Sequence, residues 1–212
     1  MHHAIEHQHF FTPHLQVGVR KRVPAGQLLR IARGAALLRL GAHELLLTAG
    51  NHFWLCADAL AAFSPLAGCR YDLLTCSVRV DQPAQAGWLQ PGPLLDPLFD
   101  SLADWQRPRD WHGAYGHRLQ VLLDELQGCP IQPQADVALQ TAWQGLAAGL
   151  ADGNEAWQQA RAQWQLLQAV RLLKSGSKAP QVASKLGYED ERALDRASQQ
   201  WLGCPLATLL AV

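Results

Sequence analysis

Over the first third of the chain, short runs alternate apolar with polar positions and are punctuated by glycine and asparagine. Residues 27–33 form one such run, closed by Gly34, and residues 35–40 alternate up to a turn at Gly41 and Ala42. Residues 44–47 lead into the turn cluster Thr48-Ala49-Gly50-Asn51, and residues 52–56 follow as a compact apolar run. Residues 70–80 alternate most clearly, with Leu74, Cys76, Val78 and Val80 on one face and Asp72 as the exception. This spacing predicts an all-β sandwich or barrel, and no helical period competes with it.

After Val80 the texture changes. Pro83, Pro91, Pro93 and Pro97 mark a linker. Residues 94–105 and 117–126 then carry apolar residues at helical spacing, Leu119, Leu122, Leu123 and Leu126 in the second. Two apolar helices at this point either pair two chains or cover one end of the β unit. Beyond a second break at residues 128–133 the chain is almost all helix. Residues 136–150 are rich in Ala and Leu. From the N-cap Asn154 a long helix runs to about Ser175, with Trp157, Ala160, Trp164, Leu167, Val170 and Leu173 as its apolar stripe. Gly176 supplies the stop. A short helix over 179–186, then Gly187, then a helix over 190–202 ended by Gly203 make a helix-turn-helix pattern.

Here the residues become specific. Ala169-Val170-Arg171-Leu172-Leu173, Val182-Ala183, Leu186-Gly187-Tyr188, Arg196, and Trp201-Leu202-Gly203 with Pro205 resemble the second helix-turn-helix of the AraC/XylS family of bacterial regulators. More loosely, Gly34 to Val80 resembles that family's cupin-like sensor. The resemblance implies an α+β chain in three parts. Residues 1–85 would form a cupin-like β-barrel sensing a small molecule or ion. Residues 86–130 would be linker and dimerisation helices, and residues 131–212 a shortened all-α reader. The implied partners are DNA, a small-molecule effector and a second copy, or a related full-length regulator in a mixed dimer. Arg192 and Arg196 are then the candidates for base or phosphate contacts, with Lys178 and Lys185 as supporting phosphate contacts.

The departures are equally specific. Between Asp136 and Asn154 there is room for one helix, so the first of the family's two reader units lacks its turn and recognition helix. Glu189, Asp190, Glu191 and Asp195 outnumber Arg192 and Arg196 in the surviving unit. Acid in a first helical turn serves as a cap and favours the dipole, which accounts for Asp190 and Glu191 but not for Asp195. Ser198, Gln199 and Gln200 stand where the family has Phe and basic residues, and Cys204 precedes Pro205 in place of Ser or Thr. These changes favour a modulator that acts without binding DNA, as the alternative to a DNA reader.

Composition narrows the remaining classes. Eighteen basic and eighteen acidic residues leave no net charge, so any DNA-binding face must be local. Five cysteines form no C-x-x-C pair and fit reduced thiols in a cytoplasm. No apolar run is long enough to cross a bilayer, and the N-terminus does not read as a signal peptide. His43 and His52 provide no H-x-H pair of the kind a metal-dependent cupin enzyme uses, and neither a G-x-S-x-G element nor a phosphate-cradling glycine loop is present. A pocket lined by Phe53, Trp54 and Tyr71 is the candidate effector site. His2, His3, His7, His9 and His14 crowd the N-terminus. With Glu6, they are candidate ligands for zinc, nickel or copper, His7 and His9 sharing one side of a strand.

Overall fold

The computed structural model describes residues 4–132, 137–149 and 153–210. The strands are β1 (Ile5–Thr12), β2 (Lys21–Arg22), β3 (Ala25–Arg33), β4 (Ala35–Leu40), β5 (His43–Thr48), β6 (His52–Leu55), β7 (Leu60–Pro65), β8 (Cys69–Ser77), β9 (Gly87–Leu89) and β10 (Ile131–Gln132). The helices are α1 (Leu95–Ala103), α2 (Ala114–Gly128), α3 (Val137–Ala147), α4 (Glu155–Lys174), α5 (Ala179–Lys185), α6 (Glu191–Leu202) and α7 (Leu206–Leu210).

The expected barrel does not close. The strands form two antiparallel sheets, a large one ordered β1-β8-β3-β6-β9-β10 and a small one ordered β2-β7-β4-β5. The reason lies at the corners, where the chain crosses from one sheet to the other instead of turning back beside the strand it has left. Gly34, between β3 and β4, has φ of 77°, and a side chain there would also press on the Cys69 backbone. Gly50 and Gly68 turn two further crossings at positive φ. β9 and β10 extend the large sheet through segments whose prolines read as linker, β9 pairing with β6 and β10 with β9.

Three cores result, stacked through four layers. Between the sheets lie Leu29, Ile31, Leu38, Leu47, Phe53 and Tyr71. On the outer face of the large sheet, Leu28, Trp54, Leu74 and Cys76 pack against α1 and α2. Leu119, Leu122, Leu123 and Leu126, the stripe that offered a pairing surface, are all spent here against the chain's own sheet. Each such residue contributes on the order of 2 kcal/mol by leaving water. On the outer face of the small sheet, Leu37 and Leu46 meet Trp143 and Leu146 of α3 and Leu166 and Leu167 of α4.

Half-buried polar contacts fasten the helical half to the small sheet. β5 is that sheet's edge, and Gln140 of α3 pairs with it as a strand would. Its Oε1 accepts the Leu46 N–H at 3.2 Å and its Nε2 donates to the Leu46 carbonyl at 2.9 Å. Glu44 accepts from Trp164 Nε1 at 2.8 Å and Gln168 Nε2 at 3.0 Å, and ion-pairs with Arg171 at 2.8 Å. Asn154 caps α4 by accepting the Trp157 N–H.

Candidate ligand cavity and reader helices

The two sheets part at one end around a cavity of 260 Å³. Its walls follow from small or polar inward positions: Ala25 and Gln27 on β3, Ala59, and Ala61 on β7 stand where bulky apolar residues fill the sandwich elsewhere. Leu55, Cys56 and Phe63 complete the apolar lining, and Gly18, Val19 and Lys21 close the side. Gly18 and Val19 belong to the segment joining β1 to β2, and Lys21 is the first residue of β2. Gly18 is pressed so closely onto β7 that a Cβ would lie 2.1 Å from the Phe63 carbonyl oxygen. Its N–H donates to Ser64 Oγ at 3.1 Å.

The same segment reaches the helical half. Leu15 N–H donates to the Trp201 carbonyl at the end of α6 at 2.7 Å, and the His14 ring lies over Gly203, the left-handed C-cap of that helix. One strap of chain thus walls the cavity at Gly18 to Lys21 and holds the end of α6 at His14 and Leu15.

α5 and α6 are joined through Gly187, at φ of 76°, with Tyr188 N–H returning to the Ala183 carbonyl at 2.9 Å. Burial pushes the Tyr188 hydroxyl up to about 12. Asp190 is the N-cap of α6, its carboxylate accepting the Ala193 N–H at 2.7 Å. Arg192 and Arg196 stand one turn apart on the exposed side of α6, lining a shallow depression with Asp190, Glu191 and Asp195. Lys178 and Lys185 are exposed at opposite ends of α5. None of these four basic residues forms an ion pair among the described residues. Asp195 has structural work of its own. One oxygen accepts the Leu206 N–H at 2.9 Å, capping α7, and the other accepts from Gln199 at 2.7 Å. Ser198 is fully buried and donates to the Cys204 carbonyl at 2.7 Å.

Phe53, Trp54 and Tyr71 lie in the cores, and other residues line the cavity. Phe53 sits edge-on to Trp88, and Tyr71 is held between Phe10 and Phe63, all between the sheets. Trp54 points the opposite way, under α1 and α2, and its indole donates to the Pro83 carbonyl at 2.9 Å. The cavity's own signal in the sequence was the small and polar inward positions Ala25 and Gln27, which alternation alone does not single out.

His7 and His9 do share one face of β1. Both donate to one oxygen of Asp72, His7 Nε2–H at 2.9 Å and His9 Nδ1–H at 2.8 Å. Arg30 donates to the other oxygen at 3.0 Å and ties the group to Asp96 and Asp100 on α1. Burial pushes the Asp72 carboxyl up, but the bonds and charges of His7 and His9 outweigh that and hold it below its ordinary value. One ring nitrogen of each histidine is therefore engaged with Asp72. Among the described residues no group of three or more His, Cys, Asp or Glu is arranged to hold an ion. His2 and His3 lie outside the described residues. Among the described residues no helix is long and apolar enough to cross a membrane.

No family model and no curated protein matches this sequence. Solved structures do show likeness in fold. An apo variant of ToxT from Vibrio cholerae is 9% identical over 99% of this chain and 98% of its own, with a TM-score of 0.44. ToxT from Vibrio cholerae O395 bound to (E)-4-(8-methylnaphthalen-1-yl)but-3-enoic acid is 9% identical over 99% of both chains, with a TM-score of 0.41. Oxalate decarboxylase from Bacillus subtilis matches 37% of this chain and 22% of its own at 9% identity, with a TM-score of 0.31. At these values the reading of function rests on the geometry of the chain itself.

Proposed function

We propose that the chain is a ligand-responsive transcriptional regulator of the AraC/XylS type. The observation that carries this reading is the strap. It forms a wall of the cavity at Gly18, Val19 and Lys21 and is hydrogen-bonded to the C-terminal end of α6 through Leu15. An effector entering between the sheets presses on that wall, and a strap that yields to it changes its hold on α6. A ligand that prefers one strap position shifts the population of reader arrangements by its differential affinity. The cavity is mostly apolar with Lys21 and Gln27 as polar contacts, which suits a small amphipathic effector.

On DNA, α6 is the reading helix. Arg192 and Arg196 reach base edges or phosphates, Lys178 and Lys185 reach phosphates, and two copies act together. Since α1 and α2 bury their apolar faces on the large sheet, pairing falls to other surfaces. The exposed Glu189 and Glu191 favour a second reading, in which the chain forms mixed dimers with a full-length regulator and does not bind DNA itself.

The test is fluorescence anisotropy of DNA from the gene's own upstream region, at low and at physiological salt. The regulator predicts sequence-selective binding that weakens with salt, and a salt slope smaller by about 0.9 for each phosphate contact removed in Arg192→Ala or Arg196→Ala. Absence of binding at low salt, with the folded chain confirmed by circular dichroism, would sink the DNA reading in favour of the modulator.

A further inference from the structure

A second cleft, of 240 Å³, lies at the seam between the small sheet and α4. Ala35, Leu46 and Leu66 form its sheet side, and Trp157 and Ala160 its helix side. No Asp, Glu, Lys, Arg or His lines it. Two of its polar side chains are engaged: Thr48 donates to Asn51, and Gln159 donates to Glu155. Gln163 is engaged on one side only. It is 4% exposed, and its Oε1 accepts the Ala67 N–H at 2.7 Å. That bond fixes the orientation of the amide, and its NH₂ group makes no side-chain hydrogen bond among the described residues.

A donor without a protein partner, on a residue only 4% exposed that lines a mainly apolar cleft, specifies its complement. We propose that the seam cleft binds a small neutral molecule, mainly apolar, with one carbonyl-type acceptor on the Gln163 NH₂ and its apolar body against Trp157. A carboxylate or an amine finds no countercharge there, so its desolvation goes uncompensated. Since a cavity of about 150 Å³ accommodates benzene, this volume suits roughly ten non-hydrogen atoms. The cleft is distinct from the cavity at the end of the sandwich, where Lys21 stands. Its occupant touches both the sheet and α4, and so braces the helical half against the β half.

The probes are 4-fluoroacetophenone, 4-fluorotoluene and 4-fluorobenzoate, titrated against the full chain by fluorine NMR. Saturable binding of the ketone is expected, with the toluene weaker by about fivefold for want of the acceptor, and no saturable binding of the benzoate. Ala156 is exposed at the rim of the cleft, so Ala156→Trp plugs the entrance without touching the core and should lower ketone affinity at least about tenfold, the worth of a lost apolar contact of this size. In the unsubstituted chain, the Trp157 indole and Gln163 amide proton resonances should shift with the same saturation curve. Equal binding of ketone and benzoate, or a ketone that leaves the Trp157 and Gln163 resonances unmoved, would overturn the assignment. None of these readouts involves DNA, so the outcome is independent of whether α6 reads it.

Discussion

Asp72 and Arg30 are direct cross-strand partners on β8 and β3, and their side chains meet at 3.0 Å beneath α1. His9 is the partner of Asp72 on the other side, so three adjacent strands place His9, Asp72 and Arg30 in one row. Asp72 is wholly buried and Arg30 nearly so, which means neither charge can fall back on water. Removing one member of such a group leaves the other uncompensated. Asp72→Asn is expected to cost about 3 kcal/mol, the lower end for a broken buried pair, because Arg30 retains Asp96 and Asp100. Urea unfolding at neutral pH measures it, and a loss under about 1 kcal/mol would show that the row does not hold the sheet.

His52 makes stability depend on pH at the mild end of the acid range. Its ring is buried, with Nδ1 3.1 Å from the Gly50 carbonyl and Nε2 3.1 Å from an Asp96 oxygen in poor hydrogen-bond geometry. Burial pushes its pKa below the ordinary 6.5, and the nearby carboxylate of Asp96 offsets this only in part. As pH falls through 6.5 the unfolded chain takes up the proton before the folded one. The stability is therefore full above about 6.5 and declines below it. Asp72 does not add to this decline. Its folded value lies below 3.8, so its contribution is lost only at still lower pH. Thermal unfolding at pH 7.5 and 5.5 should show a drop in midpoint that His52→Asn reduces, whereas equal drops would remove His52 as the cause.

Asp72 also shows where the sequence could be read and where it could not. As the break in the alternation of β8, it was visible as an exception, but its partners lie on β1, β3 and α1. A polar residue on a buried face announces a network without naming its members. Strands with clean alternation and helices with capping residues were legible, Asn154 and Asp190 serving as the N-caps their positions suggested. β1 was legible only through the pairing of His7 and His9 on one side of a strand, since the inward His7 hides the apolar alternation, and β9 and β10 were not, being too short to carry a period. The docking of the helical half was illegible for another reason. Gln140 and its partner Leu46 are 94 residues apart, and nothing in either neighbourhood marks the pairing. The basic residues of α6 were legible as candidates, but the cavity was not, because its walls come from separate strands and the strap.

Glu44 should govern how firmly α4 sits on the β half. It collects the Trp164 indole, Gln168 and Arg171 from successive turns of that helix. Glu44→Ala leaves these donors without an acceptor at a mostly buried seam, a loss of about 2 kcal/mol. Hydrogen exchange resolves where the loss falls. Amides of α4 should exchange faster while those of β3 and β8 do not, and uniform acceleration would mean that the two halves open as one unit.

The acidic character of α6 is partly structural, and this can be separated from its cost on DNA. Asp195 holds the N-terminus of α7 through Leu206, beside two arginines that the regulator reading sends to DNA. Asp195→Asn keeps an oxygen for the Leu206 N–H and removes the charge, while Gln199 can turn its amide to keep the second bond. The fold should survive with a cost below about 1 kcal/mol, the carboxylate's advantage over an amide as a cap. If α6 faces phosphates, loss of one repelling charge should strengthen DNA binding a few-fold, most at low salt where screening is weakest. Anisotropy with the variant decides it. A gain that vanishes at high salt places α6 on the nucleic acid. An intact variant with no gain at any salt places α6 away from phosphate, and leaves Asp195 as a cap whose charge costs the protein nothing.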